Sequence, residues 1–361
     1  MGNMKLPKQN PERGFSLLEA TIAMAIGLIV MASMASLFKT AMNSTMLVTQ
    51  RAETQQNMRV AIDLLVKDLS LAGAGLPSGG IQLPNGTGWN GASKFGCDQT
   101  GTCHVPAYTY PTNNYMYGII PGYSNGVEAN AIIPAAPAAI NDSVTSIYCD
   151  YNFPLWEYQI TAFNASGSQI TLAVNPQYAA NPPAAINSIG GILVGDLIML
   201  NNNAGTAVGE VTGITATTLT FADLDPLNIN QSNALFNNIK AIKAGANTVA
   251  YRLFAVTYYL TVPAAGQTPR LMRQVNGLTP VPVADDIINL QVAYDTYNSL
   301  TSALDANQAN PLGVAESPNN IQKINLVIMG QSMNNVGNKS QNMFLATDVA
   351  ARNMAFRNRY Q

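Results

Sequence analysis

The sequence predicts an α+β protein: a long N-terminal α-helix packed on a large β-rich head. Apolar residues follow a helical period from residue 15 to about residue 72, and no proline occurs between Pro11 and Pro77. Beyond about residue 81 the period changes to two, which is typical of strands. Only 11% of the 361 residues are charged and 47% are hydrophobic, a mixture that suits an extracytoplasmic β-rich protein better than a cytosolic enzyme.

The first part of the predicted helix is long enough to cross a membrane. Ala20 to Phe38 contains no charged residue, and at about 1.5 Å per residue it spans roughly a bilayer core. An ordinary secretory signal has a shorter apolar run and an A-x-A-like cleavage site, which does not occur here. Lys5, Lys8 and Arg13 precede the run, so we expect the N-terminus to be cytoplasmic and the chain after Lys39 to be outside.

One carboxylate, Glu19, interrupts this otherwise apolar stretch. An acidic side chain in a spanning helix costs on the order of 2.5 to 3.5 kcal/mol at the bilayer centre and less near an end. An intramembrane carboxylate therefore indicates a functional role with a positively charged partner. Cleavage between Gly14 and Phe15 would create such a partner, the α-amino group of Phe15.

The residues around this bond carry a specific family resemblance. "GFSLLE", from Gly14 to Glu19, follows a short basic leader and resembles the class III signal of type IV prepilins and type II secretion pseudopilins. The resemblance implies cleavage after Gly14 by the prepilin peptidase, N-methylation of Phe15 by the same peptidase/methyltransferase, and a role for Glu19 in subunit docking.

The helical pattern continues beyond the membrane boundary. Met58, Ile62, Leu65 and Leu69 recur at helical spacing, which predicts an amphipathic half whose apolar stripe the head covers. "AGAGLPSGG" at 72–80 supplies the break. The expected domains are a removed leader at 1–14, a transmembrane and assembly helix at 15–39, an amphipathic helix at 40–75 and a β-rich head at 76–361.

Period-two patterns in the head predict a series of strands separated by Gly, Asn or Pro turns. They fall at 144–151, 158–163, 168–174, 191–200, 207–214, 218–221 and 249–262, with further strands within 270–297 and at 321–332. The segments 81–142 and 175–190 are expected to be long surface connections.

The two ends of the head resemble a narrower group. "DLSLAGAG" at 68–75, "RLMRQVNGLTPVPVADDIINLQVAYDTY" at 270–297 and "FLATDVAARNMAFRNRY" at 344–360 resemble minor pilins of the W type and J-type pseudopilins of type II secretion. Ser70 stands where that group usually has Arg. The middle of the head shows little of this resemblance, so its strands rest on periodicity alone.

The three cysteines allow more than one arrangement. "CDQTGTC" lets Cys97 and Cys103 close a small disulfide loop if the head is exported, and a pairing of Cys103 with Cys149 stays open. A zinc site from the cysteines and His104 lacks the CxxC spacing that such sites use. The disulfide between Cys97 and Cys103 is the preferred expectation.

Calcium binding is a weaker expectation for the middle of the head. Asp196, Asp223 and Asp225 lie in Asp- and Asn-rich stretches that supply oxygen ligands, but hairpin turns use the same residues. Asp285 and Asp286 are read as a turn or a helix start rather than an acid/base pair, because adjacent strand residues point to opposite faces. No other metal and no cofactor is expected.

Composition and motifs disfavour two other function classes. The chain contains no P-loop, GxSxG, HExxH or dinucleotide fingerprint and only one histidine, so no enzymatic function is expected. A formal net charge of -2 lacks the basic footprint of a nucleic-acid binder.

The resemblance and the large head together predict a low-copy minor pilin that primes filament assembly or occupies the filament tip. The alternatives are a type II secretion pseudopilin and a membrane-anchored adhesin that does not polymerise. Expected partners are the prepilin peptidase/methyltransferase, other major and minor pilins and the inner-membrane assembly platform. The expected location is the inner membrane in a single pass, and then the pilus or pseudopilus.

Overall fold

The computed structural model of the chain describes most of the helix and the head. The described residues are 14–83, 92–93, 95–97, 108–109, 115–124, 141–227, 229–230, 239–242, 247–262, 267, 269–311, 317–332 and 341–355.

A single α-helix, α1 (Leu17–Ser70), forms the first element. At about 1.5 Å per residue, its 54 residues extend roughly 80 Å. The chain leaves the helix at Leu71 and turns through Gly73 and Gly75, both with positive φ. The predicted helix and its break are confirmed, with the end at Ser70 rather than Ala72.

The two halves of α1 differ in burial. Residues 14–42 are all exposed, whereas the upper half buries Met58, Ile62, Leu65 and Leu69 against the head. Their helical spacing places all four on one face, as the sequence predicts. The exposed lower half is the segment that is apolar enough to cross a membrane.

The head is built mainly from strands joined by short turns. Its strands are β1 (Ile81–Gln82), β2 (Ala92–Ser93), β3 (Tyr108–Thr109), β4 (Tyr115–Met116), β5 (Ile119–Gly122), β6 (Ser143–Cys149), β7 (Tyr158–Phe163), β8 (Gln169–Val174), β9 (Leu197–Asn202), β10 (Gly205–Glu210), β11 (Gly213–Ile214), β12 (Thr218–Thr220), β13 (Val249–Thr261), β14 (Arg270–Val275), β15 (Val281–Asp285), β16 (Ile287–Asn298), β17 (Ala303–Gln308), β18 (Ile321–Gln331) and β19 (Asn342–Ala350). Two short helices are α2 (Ile239–Ile242) and α3 (Arg352–Ala355).

The strands form three larger antiparallel sheets within the described residues. One has the order β10-β9-β13-β14-β15, with β6 also paired to β13 and β5 to β6. A second has the order β17-β16-β18-β19, and a third has the order β11-β12-β8-β7. Two small pairs, β1-β4 and β2-β3, complete the head.

The first two sheets meet the upper half of α1 in one hydrophobic core. Met58, Leu65 and Leu69 pack there with Tyr258 of β13 and Leu326 of β18. Two further clusters lie in the head, one around Leu253 and one around Phe221. Long β13 contributes to all three clusters and therefore joins the helix-bearing part of the head to the rest.

The structure differs from the predictions for the head in three places. The 81–142 segment is not simply a surface connection, because Ile81, Met116 and Ile119 are buried core residues. The strand predicted at 191–200 begins only at Leu197. The strand β17 has no counterpart among the predictions, since its side chains are mostly exposed and show no apolar alternation.

Candidate functional site: the N-terminal processing and assembly segment

The predicted cleavage site lies in extended, exposed chain immediately before the helix. Gly14, Phe15 and Ser16 are non-helical, and α1 begins at Leu17. Phe15 is 89% exposed. A Cβ added at Gly14 would meet nothing within 4 Å, so the structure around this bond is open. The bond between Gly14 and Phe15 is therefore accessible in the described chain.

Glu19 takes part in the start of the helix. Its Oε2 accepts a hydrogen bond from the Ser16 backbone N–H at 3.1 Å, and the Ser16 hydroxyl accepts one from the Glu19 N–H at 3.2 Å. This reciprocal pair is a capping box, which satisfies two N–H groups that a helix end leaves unpaired. The Glu19 carboxylate is therefore held at the backbone nitrogen of Ser16, which directly follows Phe15 in the chain.

The sequence itself contains the pattern that predicts this capping box. Ser16-Leu17-Leu18-Glu19 follows the S/T-x-x-E pattern just before an apolar run. Glu19 therefore has a local role in the isolated chain as well as the predicted one between subunits. Any test of docking has to separate these two roles.

The apolar half of α1 has a surface suited to lipid or to other helices. Large side chains such as Leu28, Met31 and Leu37 are more than half exposed. The hydroxyls of Ser33 and Thr40 donate to carbonyls one turn earlier, at 2.9 Å in both cases. Hydroxyls bonded inside the helix expose less polar surface to an apolar environment.

A buried carboxylate, Asp68, joins the upper end of α1 to the head. Its oxygens accept hydrogen bonds from the hydroxyls of Tyr148 at 2.9 Å and Tyr258 at 2.6 Å, and from Arg273 Nε at 2.8 Å. The Asp68 carbonyl also accepts from the Ser146 hydroxyl at 2.7 Å. Burial and the neighbouring carboxylate raise the pKa of both tyrosines. The helix is thus attached to β6, β13 and β14 by directional bonds as well as by apolar packing.

Two of the calcium candidates belong to separate polar clusters, and the third is exposed. Asp196 is buried beside Arg252, with its oxygens accepting from Leu193 N–H and Asn276 Nδ2. Asp225 is buried and accepts the backbone N–H groups of Ile229 and Asn230. Asp223 is exposed.

The carboxylates of Asp196 and Asp225 already accept hydrogen bonds from these donors. The described part of the chain contains no group of three or more His, Cys, Asp or Glu side chains that could hold a metal ion. Asp196, Asp223 and Asp225 do not converge there as a ligand set. Their calcium role stays a prediction without a supporting arrangement in the described residues.

Asp225 is paired instead with a second buried carboxyl group, Glu210. Burial, and then the hydrogen bond with Asp225, raise the pKa of Glu210 to about 9. Glu210 also accepts the N–H of Leu227 at 3.0 Å. Two carboxyl groups hydrogen bond to each other only when one of them is protonated. The bond between Glu210 and Asp225, which holds the loop after β12, therefore depends on pH.

The cysteines agree in part with the preferred pairing. Cys97 is disulfide-bonded, and Cys149 carries a buried thiol. Cys103 lies outside the described residues, so the pairing of Cys97 with Cys103 stays a prediction.

The turn role of Asp286 agrees with its φ of 63° between β15 and β16, a left-handed conformation that Asp tolerates.

Comparison with known families identifies the N-terminal segment. Residues 9–35 match the family model of the prokaryotic N-terminal methylation motif. This match supports a type IV prepilin-like or pseudopilin-like chain. The match covers Gly14, Phe15, Glu19 and much of the apolar run, which are the residues from which the family resemblance was drawn.

The rest of this pilin-like chain has no counterpart in the other comparisons. No curated protein and no solved structure matches it. The motif and the exposed apolar helix support a membrane-anchored chain with a single span. The motif also marks a substrate of processing, as expected of a structural protein. The narrower resemblance to W-type minor pilins stays a prediction.

Proposed function

We propose that the chain is a minor, low-copy type IV pilin that primes filament assembly or occupies the filament tip. The methylation motif supports this proposal most directly, because it joins the Gly14–Phe15 bond, Glu19 and the apolar helix in one processing and assembly signal. The large head favours a low-copy position, since a bulky head would crowd a tightly staggered filament.

The proposed assembly step transfers the lower half of α1 from lipid to a filament core. Prepilin peptidase cuts between Gly14 and Phe15 and methylates the new amino group. The carboxylate of Glu19 then attracts the Phe15 amine of a subunit already in place at the assembly platform. Exposed side chains such as Leu28 and Met31 exchange lipid contacts for contacts with other helices.

N-terminal mass spectrometry of the mature chain tests the processing step. The expected product begins with N-methylated Phe15 and lacks residues 1–14. A mature chain that begins elsewhere, or that keeps its leader, would contradict the proposal.

Two substitutions separate docking from helix capping in filament assembly. Glu19→Gln keeps a capping-box side chain but removes the charge, whereas Ser16→Ala removes the cap and keeps the charge. We expect Glu19→Gln to be inserted in the membrane yet absent from sheared filaments, and Ser16→Ala to be recovered in them. Normal recovery of Glu19→Gln in filaments would contradict a docking role for Glu19. Absence of the wild-type chain itself from sheared filaments would favour an anchored adhesin that does not polymerise.

The choice between pilus and secretion pseudopilus needs a different readout. Deletion of the gene is expected to reduce surface pili and to leave protein secretion unchanged. Loss of secretion with normal piliation would assign the chain to the type II secretion alternative.

A further inference from the structure

A pocket lies where the exposed half of α1 meets the head. It has a volume of about 270 Å³ and is lined by Met46, Thr49, Gln50, Glu53 and Asp286, together with Thr45 and Thr54. All but Asp286 belong to the helix, and Asp286 lies between β15 and β16. We call this cavity the neck pocket.

The neck pocket contains a hydrogen-bond acceptor with no donor. The side-chain oxygen Oε1 of Gln50 is buried and has no hydrogen-bond partner in the described structure. A buried acceptor without a donor is costly, and native proteins leave few of them. The pocket is therefore incomplete in the isolated chain and suits a group that donates hydrogen bonds.

The charge of the pocket also favours a positively charged donor. Glu53 and Asp286 are both among the lining residues, and no Lys or Arg is among the described ones. Glu53 is exposed, so a neighbouring molecule can reach its carboxylate. A cation entering the pocket would gain Coulomb attraction from the Glu53 carboxylate and a hydrogen bond to Gln50.

The opposite side of the helix carries the contrasting charge. At about 100° per residue, Arg51 lies roughly on the far side of α1 from Glu53. Its Nε donates to Gln341 Oε1, beside a separate groove that includes Gln55 and Asn342. The neck thus has Glu53 on one side and Arg51 on the other, a charge distribution that favours side-by-side packing of similar subunits.

The position of the pocket continues the proposed assembly surface. Thr45 and Met46 line it and are exposed, and the fully exposed apolar run lies directly below them on the same helix. Subunits that cover the lower half of α1 would therefore also reach the neck pocket.

We propose that the neck pocket receives a Lys or Arg side chain from an adjacent pilin-type subunit. The proposal rests on the proposed function, because it needs a neighbouring subunit in a filament. The entering side chain donates to Gln50 Oε1 and pairs with the exposed carboxylate of Glu53. This contact fixes the lateral position of the subunit, whereas Glu19 acts at the far end of the helix.

Glu53→Gln in the full-length chain, expressed in its own host, tests the contact. The substitution keeps size and removes the charge. We expect about threefold to fivefold less of this variant in sheared filaments than wild type, the range of a partly exposed ion pair. Asp63→Asn is the matched control, since Asp63 is an exposed carboxylate on the same helix outside the pocket. Its incorporation should equal that of wild type.

A photoreactive amino acid at Thr49 identifies what enters the pocket. We expect a crosslink to another pilin-type subunit at a peptide containing Lys or Arg. Replacing that Lys or Arg with Glu in the partner should restore the incorporation of the Glu53→Lys variant into filaments. The same amino acid at Val60, exposed but outside the pocket, should not give this crosslink.

Several outcomes would overturn the proposal. Equal incorporation of Glu53→Gln and wild type would do so, as would equal losses for Glu53→Gln and Asp63→Asn. A fall in wild-type incorporation to the Glu53→Gln level on Ca²⁺ chelation would assign the pocket to a metal ion instead. Absence of wild type itself from filaments would contradict the proposed function, and thereby this contact as well.

Discussion

At the scale of single residues, the buried polar groups of the head carry information that the hydrophobic pattern does not. Asp68 is a charged residue beside the buried stripe of α1, and its side chain is only 3% exposed. It accepts from two tyrosines and Arg273 rather than from water. A buried ion pair of this kind stabilises mainly by satisfying its partners, so removing one member leaves the others unpaired.

Replacing Asp68 should therefore destabilise the head. We expect Asp68→Ala to lower the free energy of unfolding by about 3 kcal/mol, the low end for breaking a buried ion pair. Chemical denaturation of the detergent-solubilised chain measures the effect. Asp63→Ala, an exposed change on the same helix, is expected to cost less than about 0.5 kcal/mol. Similar values for the two variants would show that Asp68 is not a structural anchor.

Glu210 predicts a pH dependence of stability. Its pKa is about 9 in the folded chain and near 4.5 when exposed, so the folded state holds a proton that the unfolded state loses. The contribution is fully present below about pH 4.5 and is lost as pH rises through about 9, with a slope of at most about 1.4 kcal/mol per pH unit. As pH rises from 5 to 9, the denaturation midpoint of the wild-type chain should fall, and that of Glu210→Gln should fall less. The same dependence of the midpoint on pH in both chains would contradict the raised pKa of Glu210.

At the scale of elements, the contact between the end of α1 and the strands depends on close backbone approach. Gly118 precedes β5, and its backbone O accepts the N–H of Ile147 in β6 at 2.8 Å. A Cβ at Gly118 would lie 2.5 Å from the Gly73 backbone nitrogen, a distance that only a backbone shift relieves. The turn after α1 and the approach to β5 are therefore fitted to each other.

Gly118→Ala should disturb this junction. We expect a loss of about 1 to 3 kcal/mol in the free energy of unfolding, as for other overpacked sites. The matched control is Gly213→Ala in β11, where the added Cβ would lie 3.4 Å from a Thr220 side-chain atom, at the edge of ordinary contact. Urea unfolding of both full-length variants gives the comparison. Equal midpoints would argue against a tight junction.

At the scale of the whole molecule, the chain divides between a lipid-compatible stalk and a water-compatible head. The lower half of α1 is exposed and apolar, and the most apolar window of the helix is not buried within the structure. Such a surface needs lipid or other helices around it. The single-span arrangement follows from this division.

Two lysines in the apolar run should abolish membrane anchoring. Each charge costs on the order of 3 kcal/mol near the bilayer centre, so Ile26→Lys with Ile29→Lys is expected to move most of the chain out of the carbonate-resistant membrane fraction. Val48→Lys is the control, because Val48 is exposed but lies beyond the predicted span. Carbonate resistance of the double variant would exclude this run as the anchor.

Much of the architecture follows from period and composition. The helix, the strands from β6 to β8 and long β13 have regular apolar patterns and lie where the sequence predicts them. The segment at 191–196 does not form a strand, because Arg252 donates to the Gly191 carbonyl and Asp196 accepts the Leu193 N–H. The Arg252 contact comes from a residue distant in sequence, which local periodicity does not reveal, whereas Asp196 and Leu193 form a local turn contact.

The sequence by itself determined the processing and assembly segment. Gly14, Phe15, Glu19 and the apolar run are predicted to act through local chemistry, namely a cleavable bond, a charge and a continuous apolar surface, so the order of residues suffices to predict them. The tertiary structure alone decided which polar residues are buried together and where the neck pocket lies. Asp68 meets Arg273, and Gln50 and Asp286 come to line one pocket, only after strands far apart in sequence pack on one helix. Burial and charge pairing depend on that packing, which residue order does not contain.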